Sequence, residues 1–149
     1  MNTQSSQSDT IVNRSMPPGT IIPELVYGDL DAAVDWLCKT FGFKERLRIQ
    51  DHRSQLVFGE ASVIAVAQSR ERPLQSSQGE VNHSLMVRVA DVDRHYAHVK
   101  TCAAHILHPP KTYPFGERQY TVEDLGGHRW TFTQSVADIV PEQWGGQLL

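Results

Sequence analysis

Two stretches of the chain carry one pattern. LVYGDLDAAVDWLCKTFGFK from Leu25 and MVRVADVDRHYAHVKTCAAHI from Met86 each read as an apolar strand, an aspartate-opened helix and a second strand. Each is followed by a strand with a glycine-rich entrance, FGEASVIAVAQ from Phe58 and LGGHRWTFTQ from Leu125. A repeat of roughly 60 residues implies one domain made of two copies of a supersecondary unit, with ligand sites expected where the copies meet. At 149 residues, 40 % of them hydrophobic, the chain is sized for a single core.

In the first copy, IIPELVY is the first strand, and Asp29 or Asp31 caps a helix whose apolar stripe is Leu30, Val34, Leu37, Cys38 and Phe41. Gly42 stops that helix, and FKERLRIQ, RSQLVFG and SVIAVAQ follow as strands, the last two joined by a tight turn at Gly59 and Glu60. In the second copy, SLMVRV leads to Asp91 and a helix with Val92, Tyr96, Val99 and Ala103 on its apolar side. His105 to Leu107 begins the next strand. Pro109, Pro110 and Pro114 then forbid a central strand, so a loop is expected before RQYTVED and HRWTFTQ. One helix per four strands predicts an α+β domain with a curved, antiparallel-rich sheet that carries helices on one face and curls around something with the other.

Composition sets the boundaries. Residues 1–18, rich in Ser, Gln, Asn and Thr, read as a flexible tail, and 19–136 as the domain. Within it, 20–68 is module one, the polar stretch 69–82 a linker, and 83–136 module two, with 137–149 a C-terminal tail. In that tail Trp144 packs either on its own domain or across a dimer contact.

Several function classes are excluded. A net charge of -3 without a basic stripe indicates neither a nucleic-acid groove nor an anionic membrane surface. No apolar run is long enough for a membrane span and the N-terminus lacks a signal-like stretch, so a soluble, cytoplasmic protein is expected. Cys38 and Cys102 fall in the two helices as small hydrophobes, without a CxxC or a disulfide framework. His95 and His98, and His105 and His108, stand three apart, but no carboxylate or cysteine completes either pair, and a solvated surface is expected.

VYGDLDAAVDWLCKTFGF, VADVDRHYAHVKTCAAHILHPP and above all YPFGERQYTVEDLGGHRWTF resemble the vicinal oxygen chelate superfamily, the glyoxalase, bleomycin-resistance and dioxygenase group, over residues 20 to 135. Within it the chain looks closest to the glyoxalase-like or PhnB-like members of unassigned substrate, and the resemblance implies an α+β fold of two βαβββ modules forming curved, mixed sheets around a cavity. The turn EDLGGH departs from the family in carrying Leu125 where a proline usually follows the aspartate; Gly126 and Gly127 still permit the turn.

The resemblance implies a metal quartet, one ligand from the first and one from the last strand of each module. Each first-strand ligand lies seven residues before the helix-opening aspartate, which gives Ile22 and Ser84; the last-strand places fall on Ala65 and Thr131. None offers imidazole, carboxylate or thiolate, so neither a metal nor another cofactor is expected.

Taking Thr131 as inward-facing from the resemblance, strand alternation puts Arg129 and Thr133 beside it and Trp130 and Phe132 against the helices. A four-residue turn from Asp124 to Gly127 pairs Glu123 with His128, and so directs Arg118 and Tyr120 into the cavity. Glu24, Ser84, Arg118, Tyr120 and Thr131 then line it, with His83 on its wall. Tyr113 and Phe115 either close its mouth or pack under their loop. The Arg118 fork suits a carboxylate, phosphate or phosphonate, or else pairs with Glu24 or Glu123. The expected function is binding of a small molecule, such as an antibiotic or another amphipathic or anionic ligand, by sequestration or as a carrier. The alternative is a lyase, isomerase or dioxygenase of the same superfamily, its chemistry run by Tyr120, Arg118 and His83. The resemblance also implies a homodimer.

Overall fold

In a computed structural model, which describes residues 11–74 and 82–149, the two copies form two four-stranded sheets on one core. Module one contains β1 (Glu24–Tyr27), α1 (Leu30–Trp36), β2 (Lys44–Ile49), β3 (Arg53–Phe58) and β4 (Ala61–Ala67). Module two contains β5 (Leu85–Arg88), α2 (Val92–Thr101), β6 (His105–Thr112), β7 (Glu117–Glu123) and β8 (Arg129–Ser135). The sheets run β1-β4-β3-β2 and β5-β8-β7-β6, and in each the first strand lies parallel to the last while the other pairs are antiparallel. This is the α+β architecture of two βαβββ modules with mixed sheets.

Both helices start on the aspartate that the repeat marks. The Asp29 carboxylate accepts from the Ala32 N–H at 3.1 Å, and the Asp91 carboxylate from Arg94 N–H at 3.0 Å, each satisfying one of the orphan donors of a first turn. Asp29 is the cap, and Asp31 lies in the first turn. After Trp36 the helix widens into a π-helical turn, Leu37–Phe41, and ends at Gly42, whose φ of +95° needs glycine. The widened turn directs Leu37, Thr40 and Phe41 inward.

Phe41 joins the modules. Its ring meets Trp130 at 5.3 Å and Phe132 at 4.9 Å, both on β8, so the end of module one's helix packs on the central strand of module two. Full burial of such a ring contributes about 2 kcal/mol, and edge-to-face geometry adds to it. A second seam is polar. The Asp124 carboxylate, after β7, accepts from Tyr27 O–H at 2.7 Å, Trp130 Nε1–H at 2.9 Å and the backbone N–H groups of Gly126 and His128. His128 Nε2–H donates to the Val26 carbonyl at 3.0 Å.

Three sequence expectations change. Pro109 and Pro110 lie inside β6 rather than in a loop, because β6 is an edge strand, where missing N–H groups cost no ladder bonds, and its register shifts twice between Ile106 and Lys111. In the expected N-terminal tail, residues 11–18 include a turn laid against module one: the carbonyls of Arg14 and Ser15 accept from Arg46 and Gln55, and Pro17 is buried. Ala65 does not face the cavity: it pairs with the core residue Leu25 and is fully buried, whereas its neighbour Ile64 lies on the opposite face with Glu24. Residues 1–10 of the tail and 75–81 of the expected linker lie outside the described residues.

Candidate functional site

The face of module two's sheet turned away from α2 is polar. Thr131 lies on it, half-buried, with Arg129 and Thr133 on either side along β8, while Trp130 and Phe132 fill the core. The neighbouring β7 follows a register one residue away from the expected one: Thr121 pairs with Thr131, Tyr120 with Phe132, and Arg118 with Gln134. The cause is the turn. Asp124 N–H bonds to the His128 carbonyl at 2.8 Å, so the loop has three residues rather than four, with Gly127 at φ +84°. That is the geometry of a type I turn closed by a glycine bulge. A slip of one residue turns every side chain of a strand to the other face.

Tyr120 and Arg118 therefore leave the cavity. Tyr120 is fully buried in the core, and its phenol is pushed above the ordinary range, chiefly by that burial. Its O–H lies 2.6 Å from His95 Nδ1, while His95 Nε2 lies 2.9 Å from the Phe41 carbonyl. A carbonyl can only accept, so Nε2 carries the proton and Nδ1 accepts from Tyr120. His95 is thus a bridge between modules instead of a surface residue. Arg118 grips Asp93 on the first turn of α2, with Nε–H at 3.1 Å from each carboxylate oxygen and Nη2–H at 3.0 Å, and donates to Thr112 Oγ1. Its partner is neither Glu24 nor Glu123.

The other expected residues divide. Glu24 belongs to module one's sheet and pairs with Arg72 at 3.1 Å and Arg53 at 3.5 Å. Tyr113 and Phe115 stack at the tip of the β6–β7 hairpin, 5.4 Å between ring centres, and Trp144 packs on Phe115 at 5.4 Å, so that tryptophan lies on its own domain. His83, Ser84 and Thr131 do come together. With Asn82, Thr121 and Arg129 they line an open cleft of about 280 Å³. Arg129 stands beside Thr131 as strand alternation placed it, and Asn82 and Thr121 are the members that the sequence reading did not assemble. Thr121 is recoverable from the Asp-Leu-Gly-Gly turn once a three-residue loop is assumed; Asn82 sits at the edge of the linker and carries no such signal.

Chemically the cleft is a donor site. The Thr121 and Thr131 hydroxyls touch at 3.0 Å, and the remaining polar atoms belong to a serine, an amide, an imidazole and a guanidinium. Among the described residues no carboxylate lines it. The places that the resemblance implies for a metal hold Ile22, Ile64, Ser84 and Thr131, with Ile64 replacing Ala65 because Glu24 pairs with Ile64 as Met86 pairs with Thr131. Two aliphatic chains and two neutral hydroxyls do not fit a catalytic divalent ion. Among the described residues no three His, Cys, Asp or Glu side chains gather elsewhere.

Residues 20–132 match the model of the glyoxalase/bleomycin resistance protein/dioxygenase superfamily. Among solved structures, TioX from Micromonospora sp. ML1 is 35% identical, covering 78% of this chain and 98% of its own, with a TM-score of 0.67. The fosfomycin resistance protein FosX from Listeria monocytogenes is 15% identical over 80% of this chain and 94% of its own, with a TM-score of 0.63. Lactoylglutathione lyase from Agrobacterium tumefaciens is 17% identical over 89% and 100%, with a TM-score of 0.61. No curated protein matches the chain.

Proposed function

Because the chain belongs to the glyoxalase/bleomycin resistance protein/dioxygenase superfamily, we propose that it binds an anionic or amphipathic small molecule in the module-two cleft and acts by sequestration or as a carrier. One observation carries this reading: a guanidinium, an imidazole, three hydroxyls and an amide converge on a cleft that, among the described residues, no carboxylate lines. The Arg129 guanidinium with flanking donors suits a carboxylate, phosphate or phosphonate. Antibiotics bearing such groups are one class of ligand.

At about 280 Å³ the cleft lies at the small end of ligand sites, enough for the polar end of a bulky molecule. We propose that a second copy of the chain supplies the remaining wall. Met86, 64 % exposed on the same sheet face, marks where that wall would rest. The catalytic alternative keeps only His83 as an acid-base group, since Tyr120 and Arg118 lie on the helix side.

The binding reading is tested by thermal shift with aryl carboxylates, phosphates and phosphonates on the natural chain and on Arg129→Ala. Ligand at a hundred times its Kd adds about 2.7 kcal/mol, a readily measured rise in Tm. The expected result is stabilisation by anionic members of the panel that Arg129→Ala abolishes. Stabilisation that survives Arg129→Ala, or none at millimolar ligand, contradicts the reading.

A further inference from the structure

The register of module two's sheet sets three ionisable side chains in one row. His105 on β6 pairs with Glu123 on β7, and Glu123 pairs with Arg129 on β8. All three lie on the face turned away from α2, since their neighbours Ile106, Val122 and Trp130 pack in the core. The row leads to the cleft, which Arg129 lines. The short turn after β7 creates it: the bond from Asp124 N–H to the His128 carbonyl, which brings Thr121 opposite Thr131, also places Glu123 opposite Arg129.

Directly opposed side chains on one sheet face have Cβ atoms about 5 Å apart, close enough for opposite charges to attract. Glu123 has two such neighbours. One is a guanidinium, charged at every physiological pH, and the other an imidazole, a group that ordinarily gains its proton between pH 8 and 5. The carboxylate leans to the imidazole, with Oε2 3.8 Å from Nδ1 of the exposed His105. The remaining charged groups around it are engaged elsewhere. On β6, His108 Nδ1 lies 3.0 Å from the Pro109 carbonyl. Asp124, next in the chain, is held by Tyr27 and Trp130, and α2, packed on the opposite side of β7, contributes Asp93, which Arg118 binds. His83 is the cleft's own imidazole.

A neutral His105 leaves the Glu123 charge facing Arg129. That charge lowers the positive potential of the guanidinium and competes for the fork that an anion would take. An imidazolium at His105 makes the same carboxylate half of an ion pair, and the row passes from balanced to net positive.

We propose that Glu123 is a positioning residue of the anion site, acting through Arg129 and switched by His105, so that the cleft holds anions more tightly as pH falls through the histidine range. The proposal rests on the reading of the cleft as an anion site. A carrier with this row loads its anion in mild acid and releases it above neutrality.

The experiment is isothermal titration calorimetry with 2-naphthoate, an aryl carboxylate that stays ionised from pH 5.5 to 8.0. It compares the natural full-length chain with Glu123→Gln, His105→Gln and the double variant, each shown to be folded by circular dichroism and cooperative melting. At pH 8.0, Glu123→Gln is expected to bind about fivefold more tightly than the natural chain, the effect of removing one carboxylate charge from beside a bound anion near the surface. His105→Gln binds as the natural chain does at that pH and about fivefold more weakly at pH 5.5. At pH 5.5 the effect of Glu123→Gln shrinks below about twofold, and it returns to about fivefold when His105→Gln is also present. His83 titrates in all four chains and cancels from each comparison. A Glu123→Gln effect that is equal at the two pH values, or absent at pH 8.0, overturns the proposal and leaves the anion site standing. Absence of binding to all four chains at millimolar 2-naphthoate overturns the anion site itself, and this proposal with it.

Discussion

His95 and Asp124 show how single polar residues hold the two modules together. His95 joins α2 to the end of module one's helix while its ring packs 4.2 Å from Phe132. Burial above all holds its pKa below the usual 6.5; the Phe41 carbonyl opposes that shift and the neighbouring His98 reinforces it. His98 itself donates to the Lys39 carbonyl, and the phenol of Tyr120 is the other polar group facing the ring. In the unfolded chain His95 takes up a proton near pH 6.5, and in the folded chain only at lower pH. Stability is therefore expected to fall as pH drops through about 6.5 and to level off below the folded-state value. Urea midpoints measured between pH 7.5 and 5.5 test this: His95→Gln should flatten the slope, and an unchanged slope contradicts the assignment. The same residue marks the limit of sequence reading. A histidine three residues from another on a helix looks solvated until the partner module is known. His83, Ser84 and Thr131 were legible because their strands pair as the repeat requires.

Elements were legible wherever local chemistry decided them: both aspartate caps, Gly42 at the helix end and the alternation of Trp130 and Phe132. Register was not, because Asp-Leu-Gly-Gly-His admits loops of three or four residues with similar turn chemistry. The observed three-residue loop makes the Asp124 carboxylate the hub for Tyr27 and Trp130, a long-range contact invisible in the local string. Proline misled for a related reason, since whether a strand is an edge depends on sheet order. The two turn glycines should respond differently to alanine. At Gly127 an added Cβ meets nothing within 4 Å, so only the φ of +84° is strained and a loss of about 1 kcal/mol is expected. At Gly126 the Cβ would stand 2.7 Å from the buried Tyr27 ring, which Asp124 holds in place, so the loss should exceed that at Gly127. Urea unfolding of the two variants checks the order, and a costlier Gly127→Ala contradicts it.

At the scale of the molecule, the duplication yields two unequal faces: in module one Gln55, Ser62, Ile64 and Val66 are buried, with the Arg14 and Ser15 carbonyls held by Arg46 and Gln55, and in module two the face opens as the donor-lined cleft. Sequence periodicity revealed the duplication but not the inequality, because the bonds from Arg46 and Gln55 to the Arg14 and Ser15 carbonyls join residues far apart in the chain. If a second copy completes the cleft, sedimentation velocity should give a dimer at micromolar concentration, weakened by Met86→Asp; a monomer throughout contradicts that arrangement. The central claim is that β7 offers Thr121, and not Tyr120 and Arg118, to the ligand. NMR titration of the methyl-labelled chain with the best stabilising anion tests it most directly. Shifts and ligand contacts at the Thr121 and Thr131 methyls, with the Tyr120 ring and Arg118 side chain unmoved, are the predicted result. Ligand contacts at Tyr120 and Arg118, with the two threonine methyls silent, would contradict the account.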